Sequence, residues 1–203
     1  MITIVDYGLG NISAFLNVFR RSNVEARATA TADELQGATK VVLPGVGHFD
    51  HAMERLDASG MRPVLDELVL ERKVPVVGIC VGMQMLAESS EEGSRAGLGY
   101  ISGRVRAFAS WEPAHGLPMP HMGWNDVRPV AQSPLLAGLE DARFYFLHSY
   151  FFECARPDDA LAVARYGQDF SCVVQHENIY GVQFHPEKSH HFGTGLLKNF
   201  AGL

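Results

Sequence analysis

The chain has 203 residues, of which 47% are hydrophobic, and its formal net charge is −6 at pH 7. This length fits one domain with a sizeable core, and the acidic balance without a basic cluster argues against nucleic-acid binding. No apolar run approaches the ~20 residues that a bilayer-spanning helix needs.

The start of the chain and its cysteines predict where the protein works. The segment MITIVDYG has no basic leader and is predicted to be a first strand instead of a signal peptide. Three cysteines, Cys80, Cys154 and Cys172, cannot all pair with one another. We therefore expect reduced thiols and a cytoplasmic location.

Strand and helix patterns alternate in the first half. After an apolar run over residues 2–6, apolar residues recur at helical spacing: Ile12, Phe15, Leu16 and Phe19. KVVLPGVG predicts a strand stopped by Pro44 and Gly45, and a helical stretch follows in which Pro63 ends or restarts a helix. VPVVGIC then predicts a strand, and GMQMLAES a helix. This alternation predicts a parallel sheet with helices on both faces.

The second half predicts antiparallel strands. Short β-like runs are separated by turn residues: GRVRAF, WNDVRPV, RFYFLHSYFFEC, LAVARYG and SCVVQHENIYGVQF. ENIYG resembles a hairpin tip with positive φ at Asn178, residues 110–120 predict a loop, and FGTGLLKNF predicts a closing helix. The expected fold is an open, mostly parallel α/β sheet with helices on both faces and an antiparallel C-terminal extension, in one domain over residues 1–203.

Cys80 lies where a predicted strand meets a predicted helix, in Gly78-Ile79-Cys80-Val81-Gly82. Small residues two positions before and after a nucleophile allow the strained turn that exposes it. A helix N-terminus would also favour a thiolate. By itself the pattern fits a buried core thiol equally well.

A second group of residues is GVQFHPEKS, where an apolar strand ends at His185. In an extended segment residues i and i+2 point to the same side, so Glu187 can orient the His185 ring. Alone, such a pair is more typical of a strand end at the surface.

A third group is LPGVGHFD, where Gly45 and Gly47 follow a strand that ends at the same sheet edge as Cys80. Backbone N–H groups there can turn toward an oxyanion, although an ordinary turn has the same composition. His48 and His51 are three residues apart but lack acidic or cysteine neighbours, so no metal site is predicted.

Together these groups supply three parts of one acyl-transfer site. GICVGMQML and QFHPEKS resemble the catalytic motifs of class I (triad) glutamine amidotransferases, and the resemblance covers nearly the whole chain. DYGLGN, PGVGHF, PHMGWN and FYFLHSY are similar to one branch of that family, the glutaminase subunits of imidazole glycerol phosphate synthases in histidine biosynthesis. Val81, where leucine is usual, and His190-His191 depart from the pattern.

The resemblance implies that Cys80 attacks the side-chain amide of glutamine, that His185 transfers protons and that Glu187 orients His185. The N–H of Val81 and one from the Gly45-Val46-Gly47 segment would form the oxyanion hole, after that segment rearranges on partner binding. Glutamine itself would be held by Gln84, Glu92, His148, Ser149 and Tyr150. Of these, Gln84 also lies one helical turn past Cys80. No cofactor or metal is implied.

The implied partner is a separate (β/α)₈-barrel cyclase, forming a heterodimer in which ammonia reaches a nucleotide substrate through the barrel. Residues expected at that interface are Met122, Trp124, Asn125, Tyr145 and Lys188. Trp124 is of the residue type that anchors interfaces, although residue type alone fits a buried core tryptophan nearly as well.

Three alternatives remain open on the sequence. A catalytically silent activator would not explain why Cys80, His185 and Glu187 are all present. A subunit feeding a related cyclase in surface-sugar amination could share the same motifs. A stand-alone glutaminase would turn over fully without any partner.

Overall fold

In the computed structural model, which describes residues 1–203 apart from the side chain of Pro113, strands and helices alternate over the first half. The elements are β1 (Ile2–Val5), α1 (Ile12–Arg21), β2 (Ala26–Thr29), α2 (Ala32–Leu35), β3 (Val41–Gly45), α3 (Phe49–Ala58), α4 (Arg62–Asp66), β4 (Val76–Cys80) and α5 (Val81–Gln84). A π-helical turn, Glu67–Glu71, continues α4. Pro63 lies in the first turn of α4, where its missing N–H needs no partner, so it restarts a helix as predicted.

The second half is mainly β-structure. It contains β5 (Ser89–Ser90), β6 (Gly103–Ala107), β7 (His121–Asp126), β8 (Arg128–Pro129), β9 (Arg143–His148), β10 (Tyr150–Cys154), β11 (Ala160–Tyr166), β12 (Gln168–His176), β13 (Ile179–Val182) and the closing helix α6 (His190–Gly202). Two short 3₁₀ turns lie here: Phe108–Ser110 ends where the predicted loop of residues 110–120 begins, and Glu112–Ala114 lies inside it.

One large sheet has the strand order β2-β1-β3-β4-β13-β12-β10-β6-β5, and off this path β11 pairs with β12 and β8 pairs with β11. The strands from β2 to β13 along this path run parallel, and β12 then pairs antiparallel with β13 and with β10. β7 and β9 form a separate antiparallel ribbon. The structure confirms the predicted α/β class and its antiparallel extension.

The central strands are apolar because both sheet faces are covered. Every residue of β1, β3, β4 and β13 is buried, as strands in the middle of a parallel sheet require. Over the part of the chain that the structure describes, no helix is both long and apolar enough to cross a bilayer.

Three local predictions were wrong. Positive φ at the hairpin tip falls on Glu177, at 51°, instead of on Asn178, whose side-chain amide donates to the carbonyls of Val69 and Val74. β3 continues through Pro44 to Gly45, because pairing with β1 has ended at Val42 and no ladder bond is lost.

The third is the helix predicted over GMQMLAES, which is reduced to the single turn of α5. The carbonyls of Met85 and Leu86 accept hydrogen bonds from the N–H groups of Leu98 and Ile101. These bonds to a distant segment replace the helical ladder, so the chain leaves the helix directly after its first turn.

Candidate active site

A cavity of about 300 Å³ lies where β3 and β4 end. Cys80, Val81 and His185 line it, together with Val46 and Gly47 from the segment after β3. The residues predicted to hold glutamine line it as well: Gln84, Glu92, His148, Ser149 and Tyr150. Parts from distant regions of the sequence therefore meet around one space large enough for a small ligand.

Cys80 is held on a strained turn between β4 and α5. Its φ of 55° and ψ of −111° are rare for a residue with a side chain. A Cβ on Gly78 would clash with the carbonyl of Gly82, and a Cβ on Gly82 would clash with the carbonyl of Leu43. The turn therefore depends on these two glycines.

His185 and Glu187 form a buried pair in the segment that follows β13. The Nδ1 of His185 lies 2.8 Å from Oε1 of Glu187, and both side chains are at most 5% exposed. A 3₁₀ turn over Pro186–Lys188 brings the carboxylate back to the ring. The other carboxylate oxygen, Oε2, is buried without a hydrogen-bond donor, so this negative charge is directed at the histidine.

The electrostatics of this pair favour a charged ring. Burial lowers the pKa of His185, but the hydrogen bonds and charges of Cys80 and Glu187 outweigh it and raise the pKa to about 10. At neutral pH His185 is therefore protonated, which places a positive ring next to the Cys80 sulfur.

The segment predicted to complete an oxyanion hole divides into two parts. Gly45 does not reach the cavity: it ends β3 directly under the turn, where a Cβ would clash with the backbone N of Gly82. Val46 and Gly47 are exposed and line the cavity, and Gly47 has φ of 87°. The hydroxyl of Tyr7 donates to the carbonyl of Pro44 at 2.6 Å and anchors the start of this segment.

The predicted glutamine-binding residues differ in the groups that they leave available. One oxygen of Glu92 accepts from the backbone N–H of Phe49 at 2.8 Å, so its second oxygen remains for a ligand. Gln84 uses its amide nitrogen on the carbonyl of Tyr150 and on Oε1 of Gln183, both at 3.1 Å. Both ring nitrogens of His148 are already paired within the protein.

Gln183 is a residue of the site that the sequence prediction missed. It is fully buried, and its amide nitrogen lies 3.9 Å from Sγ of Cys80. A signal was present, since a polar residue interrupts an apolar strand two positions before His185 and therefore points to the same side.

Of the residues predicted at a partner interface, Lys188 lines the cavity, and Met122 and Trp124 lie on the β7–β9 ribbon beside it. Met122 is 65% exposed and Trp124 is 41% exposed on the outer face of β7, and Leu147 of β9 lies directly opposite Met122. We call these three residues the mouth patch. Nearby, the Lys188 ammonium lies 5.9 Å from the centroid of the Tyr145 ring.

Asn125 differs from the other predicted interface residues. Its amide nitrogen contacts Nε2 of His121 and the carbonyl of Arg165, so it points inward on β7 and offers a partner little of its side chain. His190, one of the two unusual histidines, stacks on Trp124 with ring centroids 5.3 Å apart and extends the mouth patch.

Comparisons with known proteins agree over the whole chain. Residues 3–202 match the family model "Glutamine amidotransferase class-I". The chain is 63% identical, with full coverage of both sequences, to "Imidazole glycerol phosphate synthase subunit HisH" of Bdellovibrio bacteriovorus, and 52% identical to the protein of that name from Leptospira borgpetersenii, again with full coverage of both.

Solved structures share the fold at low sequence identity. A structure titled "Crystal structure of glutamine amidotransferase" matches with a TM-score of 0.78 at 19% identity, covering 100% of this chain and 99% of that one. "Structure of PurLQS from Thermotoga maritima" matches with a TM-score of 0.74 at 16% identity, covering 99% and 97%.

Proposed function

The chain belongs to the class I glutamine amidotransferase family, and on this premise we propose that it is the glutaminase subunit of an imidazole glycerol phosphate synthase, in histidine biosynthesis. The observation that carries the proposal is the convergence of a strained Cys80 and a buried His185–Glu187 pair on one cavity. The relatives named above carry the synthase name, so the surface-sugar alternative is not favoured.

In the proposed reaction the Cys80 thiolate attacks the side-chain carbonyl carbon of glutamine. Collapse of the tetrahedral intermediate breaks the C–N bond, and the proton on His185 goes to the departing nitrogen, giving ammonia and a glutamyl thioester. A water molecule, deprotonated by His185, then cleaves the thioester to glutamate and restores the thiolate and the protonated ring. Glu187 holds the ring in place and balances its charge.

Charge developing on the carbonyl oxygen needs backbone donors. We assign one to the N–H of Val81, directly after the nucleophile, and a second to the exposed Val46-Gly47 segment. Gly45 is assigned no donor. Its missing side chain lets β3 pack closely against the backbone of the turn that carries Cys80. The Glu92 carboxylate can accept a hydrogen bond from the α-ammonium group of the substrate glutamine. The side-chain carbonyl of Gln84 can accept one from the side-chain amide of the substrate.

The chain acts as one subunit with a cyclase, and we propose that this partner is a (β/α)₈ barrel that covers the mouth patch. Exposed apolar side chains in a cluster mark a contact surface, and Trp124 is the residue type that anchors interfaces. Ammonia released at Cys80 would leave through this mouth into the barrel. The products there would be imidazole glycerol phosphate and an aminoimidazole carboxamide ribotide.

Glutaminase turnover of the chain alone and of the complex tests this proposal. Glutamate release is measured with and without the cyclase and its nucleotide ligand, at saturating glutamine. Without the partner, the Val46-Gly47 segment would not have rearranged to donate its N–H. Because losing one oxyanion donor costs about 10²–10³ in kcat, we expect the isolated chain to be slower by about 100-fold or more. Equal rates would instead identify a stand-alone glutaminase.

A further inference from the structure

A buried chain of hydrogen bonds connects the partner-facing ribbon with the cavity. From β7, the amide nitrogen of Asn125 lies 3.1 Å from Nε2 of His121, and Nδ1 of His121 lies 2.9 Å from Nε2 of His148. Nδ1 of His148 is in turn 2.8 Å from the carbonyl oxygen of Tyr150. The chain forms because His121 and His148 lie directly opposite each other in the β7–β9 pair.

For neutral rings, one assignment of protons gives every one of these hydrogen bonds a donor and an acceptor. The Tyr150 carbonyl can only accept, so Nδ1 of His148 carries the proton and its Nε2 must accept from His121. His121 is then protonated on Nδ1, and its Nε2 accepts from Asn125. The Asn125 amide is consistent with this, because its nitrogen also faces the Arg165 carbonyl and its oxygen accepts from the N–H of Asp126.

This arrangement requires two neutral rings, and burial provides them. His148 is 6% exposed and His121 is 5% exposed. Burial lowers the pKa of His148 to about 3, with smaller contributions from His121 and His185, and burial lowers the pKa of His121 to about 4. At neutral pH each ring therefore has one donor and one acceptor, as the chain requires.

This series of hydrogen bonds ends where glutamine would bind. The Tyr150 carbonyl accepts from His148 and also from the amide nitrogen of Gln84. The second N–H of that amide goes to Oε1 of Gln183. Both donors of Gln84 are thus used, so its carbonyl oxygen is the group left to face the cavity. With its own oxygen occupied, Gln183 presents its amide nitrogen to Cys80.

We propose that His148 and His121 are positioning residues: they hold the Tyr150 carbonyl oxygen in place as the acceptor that orients the Gln84 amide and, through it, Gln183. The two residues so set the acceptor for glutamine and the donor to Cys80. The inference rests on the proposed glutaminase function and deepens it. Asn125, at the other end of these hydrogen bonds, belongs to the strand that carries Met122 and Trp124 on its outer face.

Two substitutions at His148 separate positioning from packing. His148→Phe fits an aromatic environment, with the rings of Phe108 and Phe170 each 5.3 Å away, but removes the donor to Tyr150. His148→Asn packs less well but keeps an N–H at the δ position. A packing role would make the phenylalanine variant the more active one, whereas positioning predicts the reverse order.

Glutamine-dependent synthesis by the complete complex with the cyclase is the readout, with kcat and KM determined separately and ammonia-dependent synthesis as the folding control. For His148→Phe we expect kcat/KM for glutamine to fall about 10- to 100-fold, with KM raised and kcat lowered. His148→Asn is expected to recover at least half of that loss on a logarithmic scale despite a lower Tm. His121→Phe is expected to lie between wild type and His148→Phe, because His148 keeps its bond to Tyr150.

The outcomes separate this inference from the proposed function. Wild-type activity in His148→Phe, or lower activity in His148→Asn than in His148→Phe, would overturn the positioning role. Absence of glutamine-dependent synthesis in the wild-type complex, with ammonia-dependent synthesis intact, would instead overturn the proposed function.

Discussion

Replacing Cys80 with alanine is expected to lower glutamine-dependent synthesis by the complex at least ~10⁴-fold, the scale of loss when a catalytic nucleophile is removed. Synthesis from added ammonia should remain at the wild-type rate, because that step takes place on the cyclase. The physical reason is that no other side chain lining the cavity offers a thiol. Both rates are measured on the same preparation of the Cys80→Ala complex.

Cys154→Ala is the matched control, since Cys154 is also a free thiol but does not line the cavity. Burial raises the pKa of Cys154 to about 11, so this thiol is un-ionised at neutral pH. It should keep both activities. If Cys80→Ala loses both activities, the role of Cys80 is structural, because the substitution then disturbs the complex itself.

His185→Gln is expected to reduce glutamine hydrolysis by about 10²- to 10⁴-fold, the usual contribution of a positioned acid–base group. Glutamine is close in size but cannot carry the proton that the departing nitrogen needs. Glutamate release by the complex measures this. Lys198→Gln serves as the control. Lys198 is exposed on α6 and does not line the cavity, so this substitution removes a positive charge from a different place. A His185→Gln complex within threefold of wild type would contradict the assigned role.

The same variant has a second expected effect, on stability against pH. The pKa of His185 is about 10 in the folded chain and near 6.5 when unfolded. A raised pKa stabilises the folded state fully below pH 6.5, and this contribution is lost as the pH rises from 6.5 through about 10. The free energy of unfolding of the wild type, measured with denaturant, should therefore fall over that window. In His185→Gln it should fall less, and an equal fall in the variant would count against a protonated His185.

Features that depend on neighbouring residues could be predicted from the sequence. The turn at Cys80 follows from Gly78 and Gly82, since only residues without side chains fit against the backbone there. His185 and Glu187 are two positions apart, so their contact is local, although a 3₁₀ turn makes it and not the extended segment that was expected. The alternation of apolar strands with helices was sufficient for the α/β class.

Features that depend on strand register could not be predicted. The His121–His148 contact joins residues 27 positions apart and exists only because β7 and β9 pair with these two residues opposite each other. The sequence also does not say which face of β7 is inward, so Asn125 was grouped with Met122 and Trp124 although it points the opposite way. The truncation of α5 likewise depends on backbone bonds from a segment more than ten residues away.

The most direct test of the account follows the nitrogen itself. The wild-type complex is given glutamine labelled with ¹⁵N in the side-chain amide, together with nucleotide substrate and excess unlabelled ammonium, and the imidazole glycerol phosphate formed is analysed by mass spectrometry. If this chain hydrolyses glutamine and passes the ammonia directly to its partner, the product carries ¹⁵N with little dilution. A product with the isotope ratio of the bulk ammonium would contradict that claim.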